Sequence, residues 1–423
     1  MYLRRAAPAG ALCVLLAVAT MGRATPFDET PLVAAPPNLR TAVRDVWQAS
    51  PQRDVAEARV RAARERAKAA AQPVYNPAVQ LDGENADVDR RTAGASLTLD
   101  VTGKRKARVS ESDADVRAAE AALAMERRDV ARDWLKSWAS LALAREQTAL
   151  GRRRVQLMRR FDELAAQRLA VGDVSAPERD LAGLALGEAQ VQQASLEAAE
   201  AAALAALNTL AGETKGGLPA LPRGLPPDVG PIDAATLADR PELVRARAEQ
   251  DRAFASIAVA DRQRRPDPTI SLTGGRVRSG TRTDRVVGIS VSLPLPVLNS
   301  GRYDVDAARA EADAAQASRQ AAAWRADAQL VQATATYNAM RMAGESFRAG
   351  RAGAFDDRVA LLDRLWQAGE IDTSDYLVQL RQSTDTALSG LALESQTWQA
   401  WFDYLAAAGR LTEWVDGHPK ESP

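Results

Sequence analysis

Two stretches of the chain alternate apolar and small polar residues with a period of two, and nearly everything else repeats its apolar positions at helical spacing. Within 267–297, Ile270 and Leu272 alternate with Thr269, Ser271 and Thr273. After a turn rich in Gly, Arg and Thr, Val287, Ile289, Val291, Leu293 and Leu295 alternate with Gly288, Ser290 and Ser292. The pattern predicts a β-hairpin with one aliphatic and one small polar face. An aliphatic sheet face either packs on a soluble core or faces lipid in an outer-membrane barrel, whose polar face then lines a wet lumen. Periodicity alone allows both. Within 74–101 the pattern recurs: Val79 and Leu81, then Ala93, Ala95, Leu97, Leu99 and Val101 alternate with Gln80, Gly94, Ser96, Thr98 and Asp100.

Helical spacing fills the spaces between. A Pro-rich segment gives way near Leu39 to a helical pattern that runs to about Gln72, where Pro73 stops it. From Gly103 to Gly172, and again from Gly301 to Gly369, there is no proline and charged residues recur among Ala and Leu, which predicts one very long helix, or two stacked ones, over each of 103–171 and 301–368. At 1.5 Å per residue each would reach on the order of 100 Å, too long for one compact domain. Each is followed by a short turn, 171–175 or 368–373, and by a second helix, 175–211 or 373–411.

These spacings establish an internal repeat. Gly103 and Gly301 are 198 residues apart (301 − 103), and Gly172 and Gly369 are 197 apart (369 − 172). The turns agree as well: Gly172, Asp173, Val174 against Gly369, Glu370, Ile371, with Glu178 and Asp375 each six residues past the glycine. The expected organisation is a signal peptide at 1–24, an extended segment at 25–37, a first repeat at 38–211, a Pro- and Gly-rich linker at 212–231, a second repeat at 232–411 and a tail at 412–423. The signal is read from Arg4 and Arg5, an apolar run from Ala9 to Met21 and small residues around Ala24. That run is shorter than a transmembrane helix requires.

Composition narrows the function classes. Cys13, the single cysteine, lies in the signal, so no disulfide or thiolate chemistry is expected of the mature chain. Fifty-five basic and fifty-five acidic side chains cancel and are interspersed along helices, which gives no basic face for nucleic acid. The 46% hydrophobic fraction is inflated by alanine while aromatics are 5%, a composition for helices in close lateral contact. His418 is the only histidine and the methionines do not cluster, so no metal site is expected. Trp134 and Trp138, and Trp398 with Trp401 and Phe402, are expected at helix interfaces. Tyr75 and Tyr303 are expected as interfacial anchors at the ends of the strands. Without Cys, a usable His or a phosphate loop, the sequence predicts no catalytic residue and no cofactor; it reads as a conduit or scaffold rather than an enzyme.

The doubled order of helix, β-hairpin, very long helix, turn and helix resembles the TolC family of outer-membrane efflux ducts over essentially the whole mature chain. The likeness is greatest to its heavy-metal branch, the CzcC- and CusC-type components. It rests on RPEL at Arg240–Leu243, the PDPTISL run ending at Leu272, GISVSLPLPVLNSG at Gly288–Gly301 and the basic TGKRKAR at Thr102–Arg108. The resemblance implies a mainly α fold with a small β part. It implies a homotrimer in which each chain gives four strands to a twelve-stranded outer-membrane β-barrel, continued by a periplasmic α-helical barrel. It also implies a passive exit duct for heavy-metal cations, served by a periplasmic adaptor and an inner-membrane RND transporter. Trimerisation follows independently from hydrogen-bond accounting, since four strands cannot close a barrel and unpaired edges in lipid cost several kcal/mol per group. The resemblance further implies adaptor contact at the turns, with Gly172, Val174, Gly369 and Ile371 as candidates, and a gate at Asp375. The second family gate position falls on Val378. The alternatives are a soluble periplasmic coiled-coil scaffold or adaptor with hairpins packed on its own helices, and a TolC-like duct for drugs or secreted proteins.

Overall fold

The computed structural model describes residues 34–85, 87–211, 217–222, 224–230, 232, 234–350 and 355–417. The expected signal peptide and His418 lie outside the described residues. Two helices, α1 (Pro37–Ala49) and α2 (Pro51–Ala71), lead into the strands. The expected single helix from Leu39 is divided at Ser50, which is extended (φ −73°, ψ 126°); the ring of Pro51 disfavours helical backbone in the residue before it.

β1 (Ala78–Glu84) and β2 (Val88–Thr98) form the first hairpin, and β3 (Thr269–Ser279) and β4 (Arg282–Ser292) form the second. The two hairpins join through an antiparallel β2–β3 seam, which gives one four-stranded sheet in the order β1-β2-β3-β4. Inward-facing glycines let the strands come close. A Cβ on Gly94 would stand 2.7 Å from the Thr273 methyl, and one on Gly275 would overlap the Arg91 carbonyl across the seam.

From each hairpin the chain turns into a helix through a left-handed glycine, Gly103 (φ 79°) or Gly301 (φ 62°). The Asp100 carboxylate accepts from the backbone N–H groups of Gly103, Lys104 and Arg105 at 2.8 to 2.9 Å. It thereby satisfies donors that the helix start leaves open and places negative charge at the positive end of the helix dipole. Asn299 accepts from Gly301 N–H at 2.9 Å in the second half.

The first long helix, α3 (Lys104–Val171), is continuous for 68 residues, about 100 Å at 1.5 Å per residue. It reverses into α4 (Ala176–Ala211), and past the linker α5 (Ala234–Ala238) and α6 (Pro241–Gln263) lead to β3. Over 301–368, where one very long helix or two stacked ones were expected, there are two: α7 (Arg302–Ala349) ends where Gly350 becomes extended (φ −66°, ψ 153°), and α8 (Phe355–Gln367) follows. Two glycines three residues apart, Gly350 and Gly353, weaken helix propensity at this point. α9 (Thr373–Ala407) then returns, and α10 (Leu411–Asp416) falls in the stretch expected to be a tail, where Leu411, Trp414 and Val415 are buried.

α3 packs against α2, α4, α6 and α9, whereas α7 packs chiefly on α6 and α9. The principal core lies midway along the helices, where Trp134, Trp138, Tyr337, Trp401 and Phe402 are almost fully buried. Trp134 and Trp138 stack at 6.2 Å, and Tyr337 tilts onto Trp401 at 5.0 Å, so the expected helix-interface role of these rings holds. Two aromatic side chains of this core hold the linker. The Trp138 indole donates to the Pro219 carbonyl at 2.9 Å, and the Tyr337 hydroxyl to the Pro227 carbonyl at 2.6 Å. A second core, with Met158, Phe161, Trp366 and Tyr376, lies towards the helix reversals.

Candidate functional site

The register of the sheet fixes what each face carries. Val79, Ala95, Leu272 and Ile289 are successive cross-strand partners, as are Leu97, Ile270 and Val291, and as are Leu81, Ala93, Gly274 and Val287. On the opposite face the rows read Ser96, Ser271, Ser290 and Gly94, Thr273, Gly288. The aliphatic face is the exposed one: Val79, Leu81, Leu272, Val287, Ile289 and Val291 all face outward, while Gly94, Ser96, Ser271 and Thr273 are half-buried. No helix covers the aliphatic rows, which is the reverse of a soluble hairpin packed on its own helices. The exposed apolar run continues past β4 through Leu293, Leu295, Val297 and Leu298.

Where the sheet meets the helices, a buried carboxylate ties the two together. The Asp267 side chain has 0% exposure and accepts from Lys104 Nζ, the Tyr75 hydroxyl and the Thr102 hydroxyl, each at 3.0 Å. Arg262 donates to the Thr102 carbonyl at 3.0 Å and extends the junction onto α6. Burial by itself would raise the Asp267 pKa; the bonds from Lys104, Tyr75 and Thr102 outweigh it and hold the carboxyl below its ordinary range. Burial likewise works to lower the Lys104 pKa, and its bonds to Tyr75 and Asp267 prevail and raise it. Tyr75, expected as an interfacial anchor, has its hydroxyl engaged in this junction. Tyr303, the other expected anchor, is 85% exposed.

At the far end of α3 and α8 the two turns are built alike. Gly172 (φ 83°) donates to the Leu169 carbonyl at 3.1 Å and Asp173 to the Arg168 carbonyl at 2.9 Å; Gly369 (φ 73°) donates to Trp366 at 3.1 Å and Glu370 to Leu365 at 2.9 Å. Both are the same paired cap, in which a left-handed glycine closes the last carbonyls of a helix. The following helices are capped from carboxyl groups. Glu178 accepts from the Ser175 N–H at 2.6 Å, and Asp372 from the Asp375 N–H at 2.7 Å. These donors hold both carboxyls below their ordinary range, the backbone N–H being the largest cause in each case. The Arg168 guanidinium lies 4.5 Å above the Trp366 ring and donates to the Gln367 carbonyl at 3.4 Å, so the two turns sit side by side.

Of the residues expected at these turns, Gly172 and Gly369 are exposed, and a Cβ added at either would meet nothing within 4 Å. Val174 is half-buried, Ile371 packs against the second core, and Asp375 is exposed beside its cap. Sequence reasoning missed Asp372, Ser175 and Arg168. The first two have a signal, SAPE and DTSD, each a capping residue followed three positions later by a carboxylate; Arg168 has none, because its partner ring comes from the other repeat. Among the described residues no three His, Cys, Asp or Glu side chains gather as a metal site, and no helix is long and apolar enough to cross a membrane.

Comparison with known proteins places this architecture. The outer membrane efflux protein family matches residues 234–410. The cobalt-zinc-cadmium resistance protein CzcC of Cupriavidus metallidurans is 26% identical over 355 residues, covering 78% of this chain and 80% of that protein. The solved outer-membrane channel OprN superposes with a TM-score of 0.75 at 20% identity, over 92% of this chain and 95% of that one. The solved structure of CusC gives 0.73 at 15% identity, over 89% and 93%.

Proposed function

We propose that the chain, which matches the outer membrane efflux protein family over residues 234–410 and is 26% identical to a cobalt-zinc-cadmium resistance protein, is a member of that family and a passive exit duct for heavy-metal cations. In this role it works as a homotrimer with a periplasmic adaptor and an inner-membrane RND transporter. An outer-membrane efflux channel component is a transport protein and not an enzyme; the driving energy comes from the partner transporter.

The observation that carries the reading is the sheet: its aliphatic face is uncovered, its small polar face is half-buried along β2 and β3, and among the described residues the outer edges of β1 and β4 have no strand beside them. In hydrocarbon each unpaired backbone group costs several kcal/mol, so a lone sheet of this kind is not viable there and closure with further copies removes the edges. Three copies supply twelve strands, and an even number of antiparallel strands closes a barrel. The helices support the same arrangement. α7 turns Tyr303, Trp324, Val331 and Met342 outward, on the side opposite its buried Ala308, Ala312 and Ala326. That stripe is suited to the α2 side of a neighbouring copy, since α2 and α7 flank the sheet's two open edges.

About 100 Å of helix separates the barrel from the paired turns. With the sheet in the outer membrane, the turns form the periplasmic end, where Gly172, Val174, Gly369 and Ile371 take the adaptor and Asp375 serves the gate. Cargo is assigned to metal cations because the curated relative is a cobalt-zinc-cadmium resistance protein. A strain lacking the chain should lose resistance to zinc, cobalt or cadmium salts and regain it on complementation. The purified protein should have the mass of three chains in detergent. A stable monodisperse monomer, or unchanged metal tolerance with loss of tolerance to organic compounds, overturns respectively the assembly and the cargo.

A further inference from the structure

The row beyond the last aliphatic row of the sheet is basic. Arg91 is the cross-strand partner of Arg276, and Arg276 is the partner of Arg285, so three arginines stand side by side across β2, β3 and β4. They share the parity of Ala93, Gly274 and Val287, which puts them on the same outward face as the aliphatic rows. One row further, Arg278 pairs with Asp89 and Thr283 on that face. Like charges directly opposite one another in a sheet are destabilising unless something neutralises them. Asp89 reaches Arg91 at 3.3 Å, where the arginine is 80% exposed, and Arg276 and Arg285 have no ion-pair partner among the described residues. The other face at this level is balanced, with Glu84, Arg90 and Asp284 in one row. A one-sided basic row is therefore specific to the outer surface.

Its position agrees with a head-group level. The aliphatic positions from Val287 to Leu295 span eight residues (295 − 287), about 26 Å of extended chain at 3.3 Å per residue and roughly 20 Å of height at a barrel strand tilt of about 40°, most of the apolar band of an outer-membrane barrel. Arg285 lies two residues, about 7 Å, past that band on the side away from the helices. Arginine stems lie along apolar surface while the guanidinium reaches polar surroundings, and its planar fork matches phosphate oxygens.

We propose that Arg91, Arg276 and Arg285 form a binding row for the phosphate-bearing head groups of glycolipid in the outer leaflet, repeated on each copy of the chain. The proposal rests on the barrel reading above and adds the chemical class of lipid that the rim selects. Phosphate oxygens lower the repulsion along the row and fix the depth of the barrel.

The test uses the full mature protein in detergent, titrated with bisphosphorylated lipid A, with the same lipid stripped of both phosphates, and with inorganic phosphate, bound lipid being counted by native mass measurement. At roughly fivefold per arginine near an anionic surface, replacing all three by Gln should weaken retention of the phosphorylated lipid on the order of 100-fold. The dephosphorylated lipid should bind wild type as poorly as the phosphorylated lipid binds the variant, and inorganic phosphate should compete only weakly because it lacks the acyl chains. Arg→Lys replacement at the three positions should retain most of the affinity. If the triple Gln variant fails to assemble, Arg276→Gln alone, in the middle of the row, should show about a fivefold loss. Equal binding of both lipids by wild type, or undiminished binding by the variants, overturns the proposal. Resistance of wild type to alkaline extraction and its trimer mass are measured in parallel. If those hold while phosphate selectivity is absent, only the lipid assignment falls; if those fail, the barrel reading falls and takes it along.

Discussion

The two halves of the chain carry one pattern but spend it differently. α3 has eighteen buried positions over 68 residues, and α7, its counterpart, has six over 48. Both start at a left-handed glycine after a strand, and both donate a ring polar group to the linker from nearly equivalent places. Trp138 lies 35 residues past Gly103 and Tyr337 lies 36 past Gly301. The difference is position in the wall. α3 runs between neighbours on several sides, whereas α7 ends the row of helices and faces outward with Trp324 at 66% and Val331 at 69% exposure. Tandem sequence symmetry thus sets equivalent elements, while position at the end of the helix row decides which of them leaves an apolar stripe uncovered.

The sharpest way to break this comparison is to charge the outward stripe. Trp324→Glu combined with Val331→Glu should abolish the trimer outright, giving the mass of one chain in detergent with helicity retained, because neither side chain touches the protomer's core. A persistent trimer would mean that α7 is not the protomer edge.

Next in size comes the junction shared by both halves, where Asp267 from the second accepts from Lys104, Tyr75 and Thr102 of the first. Asp267→Ala leaves Lys104, itself only 12% exposed, without its counter-charge, and should cost roughly 3–5 kcal/mol in urea unfolding. The same carboxyl gives a pH signature. Its pKa is held below the unfolded value, so its contribution is complete above about pH 4 and disappears as pH falls through the lower folded value. Asp267→Asn should therefore flatten the loss of stability below pH 4; an unchanged acid limb would show that other carboxylates carry it.

A smaller effect tests the linker fastenings. Tyr337→Phe removes the donor to the Pro227 carbonyl and should cost about 1–2 kcal/mol. Trp138→Phe, which removes the donor to Pro219, should cost that and a packing penalty in addition, since Trp138 also stacks on Trp134. Equal losses would mean that the rings are interchangeable and that α3 is no more deeply packed than α7.

Alternation and proline-free runs made the strands and long helices legible, because period-two and helical patterns are local properties of the chain. The division at Ser50 had a visible cause in Pro51 that the continuing apolar pattern hid. Gly350 and Gly353 were visible too, yet glycine inside a long alanine-rich helix carries no sign of whether packing will hold it straight. The β2–β3 seam, the Asp267 junction and the Arg168–Trp366 contact were illegible in one sequence, since each joins residues from different halves. The basic row is an intermediate case: every arginine was in view, but only the register of three strands puts Arg91, Arg276 and Arg285 beside one another.

The smallest expected stability effect is at the turns, where the halves should behave alike. Gly172 and Gly369 share one cap geometry, and a side chain at either would point into open space. The cost of replacement is therefore the left-handed backbone alone, about 1 kcal/mol for Ala at each, and less for Asn, which tolerates that conformation. Because nothing in the protomer blocks a larger group, Gly172→Trp or Gly369→Trp should cost little more than Ala in unfolding and should leave the trimer intact. If the adaptor seats on these turns, the tryptophan variants should abolish metal resistance and the alanine variants should retain it. Resistance undiminished in a double Trp variant at normal protein level would remove the turns from the docking surface, whereas loss of resistance at only one of the two would show that a symmetric pair of turns is used asymmetrically.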